Sequence, residues 1–557
     1  MATADEVALP YHEPGIVTIL TLVSFILLLN VANHIIDKIL YCGLLVQLFL
    51  GIGWGTPGAN WLGRDFEHVA VNLGYLGLLL IVYEGGLMTS FKALKDNVLL
   101  SLGVAITGIA LPISASYILV TLVEATPLQA FAAGAALCST SLGTTFTVMK
   151  ASSLSTTKMG IVLTSAAMMD DVVGLVMVQV ISNLGGTSSS FSAVTIVRPI
   201  CVSIGFVCAV PLAARFIVQP FTTWLNGKRT TSPTGYINYV LTRDTTALII
   251  HTAILVCLIT ATTYAGTSNL FAAYLAGASI NWWDNTLSHP TFHGSGRNLS
   301  IDHTDRSQSM LSAPSSTSGI EVFKRFFYQP LQRILKPLFF ASIGFSVPIT
   351  RMFTGGVIWR GVIYTIFMFI SKFACGFWLM RLPGLAAGVL GLKRSSNTEK
   401  KLTGANKIGA TAAAAGSGSV SDPQKASLDD LPAPKSSAIP EKKQSASRQS
   451  NEGRVRTRST VTSTLKPISL YPGCIVGSAM VARGEIGFLI SALAESNGIF
   501  GGEPNASIFL IVTWAIMLCT IVGPVIVGTL VARVKKMEGR AGEGQGREGV
   551  LGEWGVR

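Results

Sequence analysis

The chain has 557 residues, of which 49% are hydrophobic and only 13% are charged, and its formal net charge is +13. This composition is far more apolar than that of a soluble globular domain and predicts a multi-pass integral membrane protein built from α-helices. The basic residues gather in loops between apolar segments and no groove-binding motif accompanies them. The predicted partner is therefore the lipid bilayer, with no nucleic acid.

Thirteen apolar segments are long enough to cross a bilayer as helices. In chain order they are residues 15–36, 39–54, 69–88, 97–123, 127–149, 158–184, 192–217, 245–265, 268–283, 331–349, 357–381, 469–495 and 506–533. The second and ninth segments are short, so the count can be off by one or two. The predicted fold class is an all-α polytopic membrane protein.

The loop charges predict how the chain is oriented. Basic residues concentrate on one alternate set of loops, which contains Lys38, Lys92, Lys95, Lys150, Lys158, Arg215, Lys228, Arg229 and Arg243. By the positive-inside rule this set is cytoplasmic, which places the N-terminus outside and the C-terminus in the cytoplasm. The sequence does not indicate which membrane the protein occupies.

This topology divides the chain into five parts. Residues 1–14 form an extracytoplasmic N-terminus, residues 15–383 carry helices 1–11 with a cytoplasmic loop at 284–328, and residues 468–533 carry helices 12 and 13. Residues 384–467 are rich in Ser, Ala, Lys and Arg and poor in large apolar side chains, so we expect a disordered basic cytoplasmic loop. Residues 534–557 form a polar cytoplasmic tail.

The sixth segment carries two adjacent acids, Asp170 and Asp171, near its middle. A charged side chain at the centre of a membrane helix costs roughly 2.5–3.5 kcal/mol even on insertion scales, so the pair needs an explanation. The small residues Ala166, Ala167 and Gly174, one turn away, leave room beside the carboxylates. One interpretation is a structural carboxylate neutralised by a neighbouring Arg or Lys. The other is a cation or proton site.

The fifth segment carries many hydroxyl groups around Gly143, namely Ser139, Thr140, Ser141, Thr144 and Thr145. Such a cluster in mid-membrane indicates a helix that breaks and turns backbone carbonyls towards an ion. The alternative is a continuous helix in which each hydroxyl bonds to the preceding turn.

Two later segments supply buried charges. In the twelfth, Arg483 and Glu485 flank Gly484, where a second break would be tolerated, and the two charges either neutralise one another or serve the site. In the eleventh, Lys372 lies within an apolar helix and requires a counter-ion, for which Asp170 or Asp171 is the obvious choice.

The order of these features suggests an internal repeat. Segments 4–6 comprise an apolar helix, an interrupted polar helix and the aspartate pair, and segments 11–13 comprise the Lys372 helix, the interrupted Arg483 helix and an apolar closing helix. With thirteen spans, the two triplets begin on opposite sides of the membrane. Paired interrupted segments in inverted repeats are typical of a transporter site.

Four motifs in order resemble the cation:proton antiporter superfamily, the sodium/hydrogen exchanger family in its broad sense, and within it the Kef-like and NHA-type branch. They are GLLLIVYEGGLMTSFKALK, the aspartate motif AAMMDDVVGLV, PLFFASIGFSV and VARGEIGFLI. The resemblance implies a homodimer, with a dimerisation domain and an ion-carrying domain that contains two crossing broken helices in each subunit. It identifies Asp171 as the essential ion-binding residue, Asp170 as its neighbour, and Lys372 as the basic residue that pairs with the aspartates in electrogenic members.

The predicted function is secondary active antiport of Na⁺ or K⁺ against protons by alternating access, with no enzymatic activity and no cofactor. The metal is a transient substrate, bound by Asp171 with oxygens from Thr140–Thr145. Arg483 and Glu485 are placed with Lys372 and the hydroxyl residues as supporting groups. The alternative is a sodium-coupled symporter or a cation channel on the same fold. An aspartyl protease is disfavoured, because adjacent residues of a helix point about 100° apart.

Overall fold

The structure is a computed structural model. It describes residues 13–40, 43–89, 97–141, 157–185, 193–232, 235–241, 243–287, 318–380, 470–501 and 507–541, together with Tyr11, Phe91, Lys95, Met149, Leu154, Leu551 and Trp554. All regular structure in these residues is helical. The all-α polytopic fold class is therefore confirmed.

The helices are numbered here in chain order. They are α1 (Ile16–Leu40), α2 (Gly43–Trp54), α3 (Arg64–Leu87), α4 (Val98–Ala115), α5 (Ile118–Leu122), α6 (Pro127–Ala136), α7 (Lys158–Leu184), α8 (Ala193–Ala213), α9 (Gln219–Thr231), α10 (Tyr236–Leu241), α11 (Asp244–Ala265), α12 (Asn269–Thr286), α13 (Gly319–Phe326), α14 (Lys336–Phe345), α15 (Gly355–Phe373), α16 (Tyr471–Val481), α17 (Glu485–Ser496) and α18 (Ser507–Ala541). A π-helical turn, Ala214–Val218, joins α8 to α9, and a second one, Leu331–Leu335, precedes α14.

Within the described residues, 9 helical stretches are long and apolar enough to cross a membrane. The four remaining predicted segments contain α2, α6, α12 and α14, which are shorter or less apolar. The number of thirteen spans therefore stays a prediction.

The helices pack in two bundles. The first, called the panel here, contains α1, α2, α3, α11, α12 and α14. The second, called the site bundle, contains α4, α6, α7, α15, α16, α17 and α18. Helix α8 packs against α7 of the site bundle and against α12 of the panel, so it lies between them.

Glycines allow the closest contact within the panel. Gly86 in α3 and Gly277 in α12 face each other, and a Cβ on either would collide with the backbone of the partner helix. The two backbones therefore approach each other with no side chain between them. This small-residue contact is how helices associate where lipid removes the hydrophobic driving force between them.

The site bundle has a repeated arrangement. The outer helices of one triplet, α4 and α7, pack against each other, and the interrupted α6 packs on both. In the other triplet α15 packs against α18, with α16 packed on both. Each predicted triplet is thus a packed unit with its interrupted helix against the outer two, while the inverted relation between the triplets stays a prediction.

Two predicted non-membrane segments are partly helical. Within the loop 284–328, α12 continues to Thr286 and α13 buries Val322 and Phe323, so its last part is a packed element. Within the tail 534–557, α18 continues to Ala541. The expected disordered loop 384–467 lies outside the described residues.

Candidate functional site

Two helix interruptions meet inside the site bundle. Helix α6 begins with a capping box between Thr126 and Gln129 and ends at Ala136, and the chain from Ser139 to Ser141 has no helical structure. The later helix ends at Val481 and resumes at Glu485, so the break predicted around Gly484 is present. The site forms where these two non-helical stretches cross.

Backbone groups of the two breaks bond directly to each other. The amide of Ser141 donates to the carbonyl oxygen of Ala482 at 2.9 Å. Arg483 Nη1 donates to the carbonyl oxygen of Ser139 at 2.7 Å, and Arg483 is fully buried. A Cβ at Gly484 would stand 2.6 Å from Ser141 Cβ and Oγ, so only glycine fits at this crossing. The crossing thus satisfies backbone groups that the interrupted helices leave open.

Asp170 is neutralised by Lys372. Lys372 Nζ lies 2.6 Å from Asp170 Oδ2, and both side chains are 0% exposed. The sequence left Asp170 and Asp171 as equal choices for this counter-ion, and the structure pairs the lysine with Asp170.

Thr140 joins this ion pair to the crossing. Lys372 Nζ donates to Thr140 Oγ1 at 2.8 Å, and that hydroxyl lies 2.9 Å from Asp170 Oδ2 and 3.3 Å from the carbonyl oxygen of Met480. Among the described residues, the other carboxylate oxygen, Asp170 Oδ1, has no hydrogen-bond partner. One oxygen of Asp170 is therefore held by Lys372 and Thr140 together.

Asp171 has a different environment from its neighbour. It is only partly buried, and Ser139 Oγ donates to its Oδ1 at 3.3 Å. Its charged neighbours include two further carboxylates, Asp170 and Glu485, and the more distant Lys372. Within the described part of the chain, Asp171 is therefore the carboxylate of the pair that forms no ion pair.

Most of the predicted site residues come together here: Asp170, Asp171, Lys372, Ser139, Thr140, Ser141, Arg483 and Glu485. Thr144 and Thr145 lie outside the described residues. The interpretation in which Arg483 and Glu485 neutralise one another is wrong for the described structure, since its ion pairs do not include this one and Arg483 bonds to Ser139 instead. The physical reason is that Arg483 lies in the break itself and points across it.

Two residues at the site escaped the sequence reasoning. Thr520 of α18 donates through Oγ1 to the carbonyl oxygen of Arg483 at 3.0 Å or to that of Ile516 at 2.7 Å. Gly108 of α4 lies directly beside the Lys372–Asp170 pair. The sequence contained a signal for Thr520 alone. This residue lies in the third helix of its triplet, as Asp170 and Asp171 lie in the third helix of the other triplet.

The charges at the crossing do not balance when all groups are ionised. Among the residues that the structure describes here, three carboxylates, on Asp170, Asp171 and Glu485, face two buried cations, on Lys372 and Arg483. Carboxylate and hydroxyl oxygens are the ligands that hard cations prefer. One proton or one monovalent cation at the aspartates removes the excess negative charge, so the two are chemical competitors for this place.

The sequence was also compared with known proteins. The model of one family, described as sodium/hydrogen exchanger, transmembrane, matches residues 21–421. The chain is 27% identical over 190 residues to the high-affinity Na(+)/H(+) antiporter NhaS3 of Synechocystis sp., which covers 34% of this chain and 41% of that relative. The chain thus spans about two fifths of the length of the curated relative it matches.

Among solved structures, that of the sodium proton antiporter MjNhaP1 from Methanocaldococcus jannaschii aligns with a TM-score of 0.49 at 11% identity, covering 93% of this chain and 99% of the other. The family match is the broader of the sequence findings. Its residues include both aspartates and Lys372, whereas Arg483 and Glu485 lie beyond it.

Proposed function

The chain belongs to the transmembrane family of sodium/hydrogen exchangers, and from that premise we propose that it exchanges a monovalent cation, Na⁺ or K⁺, for protons across a membrane by alternating access. It acts as a transport protein and catalyses no covalent reaction. The observation that carries the proposal is the buried Lys372–Asp170 pair beside Asp171, which accepts a hydrogen bond from Ser139, at the crossing of two broken helices.

Competition for one site couples the two fluxes. A proton and a cation both neutralise Asp171, so binding of one excludes the other. The hydroxyls of Ser139 and Thr140 already contact the two aspartates, and they supply neutral oxygen ligands when a cation is bound. Because protons and cations displace each other, a proton gradient drives the cation in the opposite direction.

Movement is restricted to the loaded site. With Asp171 ionised and unoccupied, the crossing carries excess negative charge. Moving this charged site through the apolar interior of the membrane has a high free energy. Loading with a cation or a proton removes that charge, so the site bundle moves relative to the panel only when occupied. Helix α8, which contacts both bundles, is the element that accommodates this movement.

The proposal includes the assembly and the orientation. We propose a homodimer in the membrane, with the N-terminus outside and the C-terminus cytoplasmic, as the loop charges and the family resemblance support. Helix α1 is available to a second copy or to lipid, because few of its residues are buried within the subunit.

Asp171→Asn tests the function. An amide keeps the shape of the side chain but neither ionises nor binds a cation with a full charge, so we expect cation-dependent proton flux to fall to the background of empty vesicles. The measurement is proton flux in proteoliposomes with an internal pH dye, with Na⁺ and K⁺ supplied in turn and no organic solute present.

The matched control is Asp65→Asn, which removes an exposed carboxylate at the start of α3. We expect this variant to retain wild-type flux. Insertion and dimer formation of Asp171→Asn stay as in the wild type. Wild-type flux in Asp171→Asn contradicts the assignment of the site, and cation flux without proton movement in the wild type indicates a channel instead.

A further inference from the structure

Helix α4 forms a wall beside the buried ion pair. At Gly108 of this helix, an added Cβ would stand 3.2 Å from Lys372 Nζ, 3.3 Å from Asp170 Oδ2 and 3.2 Å from Cys375 Sγ. Ordinary van der Waals contacts of a carbon atom begin at roughly 3.5 Å. A side chain at this position would therefore press on both members of the pair at once.

The glycine is costly where it is. Gly108 lies in the interior of α4 and the helix continues through it, so it is not needed for a turn or an unusual backbone angle. Glycine in a helix interior is less favourable for helix stability than alanine. The space that it leaves beside Lys372 and Asp170 is the compensating feature at this position.

We propose that Gly108 is a positioning residue for the exchange. Because it has no side chain, it leaves the space that Lys372 needs to reach Asp170. The inference rests on the proposed function, in which protons and cations compete for the aspartates, and it adds that the ammonium of Lys372 competes with both of them for Asp170. A residue that limits the approach of Lys372 therefore sets how strongly it competes.

Gly108→Ala tests the inference with a defined direction. The methyl group pushes Nζ away from Oδ2, so Asp170 loses part of its counter-ion and binds protons and cations more readily. We expect the pH of half-maximal exchange to rise by about half a unit, and the apparent KM for the cation at alkaline pH to fall about threefold, the equivalent change in an equilibrium constant. A merely structural effect would lower the amount of folded protein without moving either quantity.

The matched control is Gly103→Ala, five residues earlier on the same helix. Its Cβ would stand 3.0 Å from the ring of Trp378 and is not near the ion pair. It makes the same change in helix propensity and a comparable close contact. The pH profile and KM of this variant stay at wild-type values.

Cys375→Ala provides a second variant for a double-mutant cycle. Removing Sγ eliminates one of the three short contacts at position 108 and leaves volume into which the new methyl group and α4 can shift. In Gly108→Ala/Cys375→Ala we expect the pH profile to return at least halfway to that of Cys375→Ala. Such non-additivity is the signature of residues that share one space.

A binding measurement separates this inference from the proposed function. Cations that bind the folded protein raise its melting temperature in detergent, without any need for transport. In Gly108→Ala the rise with Na⁺ or K⁺ begins at about threefold lower concentration than in the wild type. If Gly108→Ala alone does not fold, the pH profile of Gly108→Ala/Cys375→Ala is compared with that of Cys375→Ala. A profile of the double variant that lies at more alkaline pH than that of Cys375→Ala supports the inference.

Unchanged KM and pH profile in folded Gly108→Ala overturn the inference while leaving the proposed function intact. Equal shifts in Gly103→Ala overturn it as well, because they trace the effect to the helix and not to the pair. Absence of exchange in the wild-type protein is the separate result that defeats the proposed function.

Discussion

At the scale of single residues, Asp170 and Asp171 have different chemistry although they are neighbours in the chain. Adjacent residues of a helix point about 100° apart, so Asp170 faces Lys372 and Thr140 while Asp171 faces Ser139 and Glu485. One carboxylate is held by a buried ammonium at 2.6 Å, whereas the other accepts a hydrogen bond from Ser139 and has two carboxylates among its charged neighbours. The two carboxylates therefore differ in their direct partners.

The electrogenicity of exchange depends on Lys372. If Lys372 releases its proton when the cation occupies the aspartates, it supplies a second titrating group beside Asp171, and we expect two protons per monovalent cation. The measurement is the reversal potential in proteoliposomes, where a two-for-one exchanger is displaced by an imposed voltage.

Lys372→Gln provides the comparison for this prediction. It keeps a hydrogen-bond donor near Asp170 but removes the titrating group, so we expect one-for-one exchange that voltage does not affect. Wild-type exchange that stops at equal Na⁺ and H⁺ gradients and ignores voltage rules out the two-proton mechanism.

At the scale of helices, α13 shows how a segment outside the predicted spans is held in place. The amide of Gly319, its first residue, donates to Asp284 Oδ2 at 2.6 Å. Phe323 packs its ring on Tyr83 with 5.8 Å between centroids, and Arg325 forms an ion pair with Asp244 at the start of α11. The helix is therefore fixed at its beginning, middle and end, and its continuation leads into α14 of the panel.

Asp284 gives α13 a measurable pH dependence. Burial raises the pKa of Asp284 from 3.8 to about 6, against the lowering effect of the Gly319 amide. The folded protein thus holds this proton more tightly than the unfolded chain does. The contribution of Asp284 to stability is full below pH 3.8, is lost as pH rises towards about 6, and is constant above that.

Asp284→Asn removes this dependence, because the amide oxygen still accepts from Gly319 and no longer titrates. We expect the difference in melting temperature between variant and wild type to change between about pH 4 and pH 6 and to be level above. Thermal unfolding in detergent across this range measures it. Parallel melting curves at all pH values would show that Asp284 titrates normally.

At the scale of the whole molecule, the arrangement is two bundles that both contact α8, with the charged crossing inside one of them. Two fully buried cations, Lys372 and Arg483, are in the site bundle, and the panel packs through small residues such as Gly86 and Gly277. A polar centre in one bundle and a closely packed apolar surface in the other suit a fixed part and a moving part.

The loop 384–467 is expected to be dispensable for transport. Its composition offers few large apolar side chains, so we expect that it forms no packed core. Deleting residues 395–460 should leave the maximal rate of exchange at the wild-type level and change at most its regulation or pH set-point. Flux and membrane insertion are measured together, and failure to insert would show that the loop is a structural element.

The sequence by itself determined the membrane class, and it predicted an interrupted helix around Gly484 and the residues of a candidate site. These features follow from local properties of the sequence. The length of an apolar segment decides whether it can span the membrane, a charge within such a segment needs a partner, and a glycine between two charges favours an interruption of the helix. The family motifs extended this to an expected function.

Only the tertiary structure decided which carboxylate Lys372 meets, that Arg483 bonds across the crossing to Ser139 and not to Glu485, and that Gly108 borders the ion pair. These contacts join positions up to 344 residues apart. They depend on which face each helix turns to its neighbours. Helix packing fixes that rotation through many small steric contacts, which cannot be predicted from a local sequence pattern.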